Sequence, residues 1–209
     1  MRAPRQVILA LVLLASLLPA QTLPSLLPAQ TLPQAEALWK TRRYQDANAV
    51  FRDLAAREPR NPEIRVRWGR MFLEHWQADE ADRLFNEALE LRPADAGALL
   101  GKALVAAEVY AGSAAEFAER ALRSDPKLVE AQELLARLAL EDDNKAKAEA
   151  EAKRALALDS NSVQAKAILA TLDWLADKKE SPWDPHAAKG YETAGHFFML
   201  NRRYEESVA

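Results

Sequence analysis

Three histidines, His75, His186 and His196, are the side chains best suited to hold a metal or to move a proton. None belongs to an H-E-x-x-H pair, and the chain has no cysteine and no close carboxylate pair to complete a ligand set. Glu74-His75-Trp76 reads as a helix end, where a histidine meets the helix dipole or solvent. There is no G-x-S-x-G, no phosphate-cradling glycine loop and no dinucleotide fingerprint. The pattern assigns no catalytic residue, no metal and no cofactor. A different chemistry is ionic. Arg70, Lys102 and Arg137 each follow a small residue (Gly69, Gly101 and Ala136), in consecutive units of a repeat. Arginine grips carboxylates bidentately, so three such cations in series suit an acidic peptide or a partner's C-terminus. The competing account is local pairing. Glu74 lies four residues after Arg70, and Glu133 and Glu141 flank Arg137 at the same distance, while the series stops at Thr171.

What positions these residues is a period. Pro59, Pro93 and Pro126, with Ser160 where the next is due, are 34, 33 and 34 residues apart, and Ala47, Ala81, Ala114 and Ala148 repeat at the same intervals. Phe51 and Phe85 are 34 apart as well. Such a period marks stacked helical hairpins, none of which buries its apolar face alone. The clearest unit, 62–95, carries Trp68, Gly69 and Phe72 on one helix and Ala81, Phe85 and Ala88 on the next, closed by Pro93. Gly69 allows close helix approach, Trp68 and Phe72 share a face, and the residue before Pro93 leaves the α region.

In this order the seven residues resemble the tetratricopeptide repeat family, with Phe72 where the family has tyrosine and Trp68 where it has leucine. The resemblance implies an all-α, right-handed solenoid of antiparallel helix pairs. Units are expected at about 34–61, 62–95, 94–128 and 129–162, plus a helix at 163–176. The third unit, with Leu100-Gly101, Leu104, Ala114, Ala121 and Pro126, fits only if its Ala111-Gly112-Ser113 turn is lengthened, which leaves its register open by about two residues. In the fourth, Ala148, Ala152 and Ala155 predict a thinner, looser stack. In this family the first helices line a concave face, and the resemblance points Arg70, Lys102 and Arg137 into it. The Lys145–Arg154 run reads as a solvated helix face.

The N-terminus is organised differently. Arg2 and Arg5 precede an unbroken apolar stretch from Val7 to Leu18, the layout of a signal peptide at 1–20. At 1.5 Å per residue this stretch spans about 18 Å, short of the ~30 Å hydrocarbon core, so no stable membrane span is expected after cleavage. Ser16–Pro24 recurs letter for letter as Ser25–Pro33, placing a cleavage site after both Ala20 and Ala29 and making 21–33 a duplicated, proline-rich linker. The expectation is an exported bacterial protein, periplasmic or extracellular. Without cysteine it is held by packing alone. Its net charge of −3 becomes −5 once Arg2 and Arg5 leave, which does not favour nucleic acid.

At the other end, 177–187 is a polar, proline-bounded break between Trp174 and Trp183, which serve either as contact residues or as packing. Residues 188–209 restart the motif with Tyr191, Ala194-Gly195 and Phe198 and read as an incomplete repeat. The expected function is a non-catalytic scaffold that binds a protein or peptide in its concave face. Two alternatives stand beside it. Some exported proteins with such arrays continue into a zinc peptidase domain, here beyond Ala209, and an uncapped C-terminal end would drive self-association.

Overall fold

The structure, a computed structural model, describes residues 30–109 and 111–176. The leader, most of the duplicated linker, the 177–187 break and the 188–209 repeat lie outside the described residues, as do His186, His196 and Trp183. The described residues form nine α-helices: α1 Leu32–Lys40, α2 Tyr44–Arg57, α3 Pro62–Glu74, α4 Ala78–Leu91, α5 Ala96–Glu108, α6 Ser113–Ser124, α7 Val129–Glu141, α8 Lys145–Leu158 and α9 Val163–Leu175. Successive helices pack as antiparallel pairs, and each pair stacks on the next. This is the all-α solenoid that the period predicts.

Both kinds of turn are set locally. Leading into a first helix, Asn61, Asp95 and Ser162 each accept a hydrogen bond from a backbone N–H two or three residues on. These caps satisfy amides that a helix start leaves open. Within a pair the first helix ends on a bond reaching back five residues, Arg43 N to Leu38 O, Gln77 N to Phe72 O and Asn144 N to Ala139 O. The residue before each donor, Arg42, Trp76 or Asp143, has φ between 53° and 60°. That is the left-handed stop common at helix C-termini. α1 begins at Leu32, ahead of the expected boundary at 34, because Thr31 caps it and Pro33 suits a first turn.

Packing follows the small-residue ladder. Ala47, Ala81 and Ala148 are each the fourth residue of a second helix and fully buried, while Ala114 is the second residue of α6. The preceding turn, 109–112, is four residues where the other pairs use three, and it replaces the start of that helix. Phe85 is fully buried and wedged between Gly69 of α3 and Gly101 of α5. One and two repeats on, its counterparts are Ala118 and Ala152, four residues beyond the ladder alanine. The expected loosening of the fourth unit is not found, since Ala148, Ala152 and Ala155 are fully buried. Ile168 of α9 stands where Gly101 stands in α5 and joins Ala152 in one core, as Leu134 of α7 does with Ala118. The bulk missing from the second helix is supplied by the next first helix.

Candidate partner-binding face

First helices touch first helices: α1 packs on α3, α3 on α5, α5 on α7 and α7 on α9. Among the described residues no two second helices pack together in this way. The first helices therefore form a continuous inner layer with the second helices splayed outside it, and the stack curves towards the first. An ion pair agrees with that sense of curvature. Arg70 Nη2 of α3 lies 2.6 Å from Glu130 Oε1 of α7, two first helices on, so the face of α5 between them is recessed.

Of the three cations, the structure brings only two onto equivalent positions. Arg70 and Arg137 are the ninth residues of α3 and α7. Lys102 is the seventh residue of α5, the counterpart of Trp68. Its contacts say the same: Trp68 Nε1 donates to Asn48 at 2.8 Å and Lys102 Nζ to Asp82, each partner twenty residues earlier on the preceding second helix. Lys102 therefore turns away from the other two cations and lies 5.7 Å from the Phe117 ring centre. Matching Leu100-Gly101 to Trp68-Gly69 puts the reading two residues out of register. The helix starts make Ala103 the partner of Gly69 and put Leu104 at the ninth position. The cap spacing, Asn61 to Asp95, carried the correct interval of 34.

Arg137 pairs with Glu141 at 2.6 Å, the local account that the spacing allowed, whereas Arg70 reaches Glu130 rather than Glu74. Glu74 instead accepts from Trp39 Nε1 at 2.7 Å. Each cation of the expected series thus already has a carboxylate within this chain. His75 caps α3 with its ring 3.5 Å from that of Tyr44. Its Nε2 is buried among the described atoms without a hydrogen bond. Among the described residues no three His, Cys, Asp or Glu side chains converge as for a metal, and no helix is long and apolar enough to cross a membrane.

The named packing residues behave as a set. Ala81, Phe85 and Ala88 are fully buried, Gly69 is buried, and Trp68 and Phe72 are half-buried with their rings 5.9 Å apart. Pro93 is exposed and acts through its turn. Sequence reasoning passed over Trp76, 86% exposed at a left-handed turn position. Its signal was its place in the period 42, 76, 143, where glycine, asparagine or aspartate is usual.

Comparison with known proteins agrees with this geometry. A tetratricopeptide repeat model matches residues 32–96 and 98–163. Among solved structures the chain is similar to PilW, a type IV pilus biogenesis factor, at 19% identity and a TM-score of 0.64 over 84% of this chain and 75% of that one. It is similar also to TTC0263, a tetratricopeptide repeat protein of Thermus thermophilus, at 18% identity and 0.62 over 85% and 96%. YrrB, described as having an unusual peptide-binding site, is 12% identical with a TM-score of 0.53 over 85% and 88%. No curated protein matches the sequence. Matched over more than half its length, with the helix pairs in step, the chain belongs to the tetratricopeptide repeat family.

Proposed function

We propose that the chain is a non-catalytic scaffold that holds an extended segment of a protein partner on the face formed by α3, α5, α7 and α9, in an exported setting. The recess spanned by Arg70 and Glu130 is the observation that carries this reading. Along it run Arg70, Leu104 and Arg137, the ninth residues of α3, α5 and α7, on backbone already fixed by the stack, while Thr171, the ninth of α9, is buried. Preformed backbone lowers the ordering cost of binding. YrrB supports the reading as a relative in fold whose description includes a peptide-binding site. With Arg70, Lys102 and Arg137 each paired internally, a carboxylate-bearing ligand would first have to displace Glu130, Asp82 or Glu141. The test is a photo-crosslinking residue placed at Leu104 or, on the outer helix α4, at Glu90, with captured polypeptides identified by mass spectrometry. Discrete products at Leu104 and none at Glu90 are expected. Equal labelling at both sites would remove the inner face from consideration.

A further inference from the structure

Beyond the inner face lies the edge where first helices end and second helices begin. At its two central turns, from Met71 to Asp82 and from Ala103 to Glu119, the sequence contains no lysine or arginine. It contains Glu74, Asp79, Glu80 and Asp82 in one stretch and Glu108, Glu116 and Glu119 in the other. Four cations adjoin these stretches: Arg70 pairs with Glu130, Arg83 with Glu80 and Glu87, Lys102 with Asp82, and Arg120 lies 5.4 Å from the Phe117 ring centre; the seven acids still outnumber them. Glu74 and Glu108 are the last residues of α3 and α5, where the carboxyl ends of the helix dipoles add negative potential. Desolvation raises the Glu108 carboxyl pKa. Set among these carboxylates are two exposed apolar side chains, Trp76 at 86% and Val109 at 66%. They occupy adjacent repeats, about 10 Å apart at helix-packing distance. Lys40, Arg42 and Arg43 lie at the corresponding turn one repeat earlier, so the acid is in excess on the Val109 side of Trp76, where the exposed ring has no apolar cover.

We propose that this edge docks a polypeptide segment carrying arginine beside aliphatic residues, the arginine over the Trp76 ring and the aliphatic side chain against Val109. A guanidinium satisfies a tryptophan face and the surrounding carboxylates together, which lysine or an uncharged segment does less well. The acidic field repels nucleic acid and anionic lipid, so the partner is protein. The surface is separate from the inner face, and the proposal stands without it.

Two fluorescein-labelled peptides of equal length test it, one alternating arginine and leucine and one alternating glutamate and leucine, titrated with the full chain and read by anisotropy. The arginine peptide binds and the glutamate peptide does not. Trp76→Asn weakens binding at least about tenfold, as an aromatic anchor should. Glu74→Gln with Glu108→Gln weakens it roughly three- to tenfold, and raising the salt has the same direction of effect. These side chains are exposed, and circular dichroism verifies that the variants stay folded. Equal binding of the two peptides, binding of neither, or loss caused by Leu104→Ala but not by Trp76→Asn would each overturn the proposal.

Discussion

Phe85 wedged between two glycines makes Gly101→Ala a demanding substitution. A Cβ at residue 101 would stand 2.3 Å from Phe85 Cε1, 2.4 Å from Cζ and 2.5 Å from Cδ1. Ordinary contact needs about 1 Å more, and the ring cannot yield, since it is fully buried and a Cβ on its far side at Gly69 would lie 2.7 Å away. Overpacking of this kind costs about 1–3 kcal/mol, and three overlapping atoms place it near the upper end. Alanine returns about 1 kcal/mol of helix propensity. The net loss is about 1–2 kcal/mol, a fall of roughly 0.5–1 M in the urea midpoint followed by circular dichroism. Gly112→Ala, with no atom within 4 Å of its Cβ, is the control and should stay within about 0.5 kcal/mol. Phe85→Ala alone should cost about 3–5 kcal/mol. Gly69→Ala/Phe85→Ala/Gly101→Leu rebuilds the Ala103, Ala118 and Leu134 arrangement of the next repeat and should recover at least half of that. A Gly101→Ala protein as stable as the parent, or a triple variant no better than Phe85→Ala, would refute the wedge.

Three further outcomes follow from the same contacts. Trp76→Asn should raise stability by about 0.5–1 kcal/mol in urea titration, because asparagine tolerates the left-handed backbone and the exposed ring loses no packing. Glu130→Gln should change stability by less than about 1 kcal/mol, since both members of its pair with Arg70 are partly solvated; a larger loss would make the pair a structural clamp. Glu108 has its folded pKa raised above 4.5 by desolvation, so its contribution is complete below that pH and is lost as pH rises through the folded value. Melting temperatures of Glu108→Gln should therefore exceed the parent's near neutrality and converge with them below pH 4.5, and the opposite order would contradict the desolvation.

Much of the fold is legible in single repeats. The prolines, the alanine ladder, the caps at Asn61, Asp95 and Ser162 and the unit 62–95 are signals among residues close in the chain, and they specify helix pairs wherever they recur. The candidate site was less legible because its contacts cross repeats. Lys102 follows a glycine as Arg70 does, yet one extra residue in the 109–112 turn and the late start of α6 hid the register that the first-helix starts reveal. The alanines of α8 looked like missing bulk until Ile168, one helix further on, was seen to fill the same core. Arg70 had Glu74 within its own helix, but curvature of the stack brought Glu130 to it from sixty residues away. Repeat identity belongs to the sequence because hydrogen bonds and helix periodicity act over a few residues. Which charges are spent and which apolar groups are left in water depends on helix phase and curvature, and those exist only once the repeats are stacked.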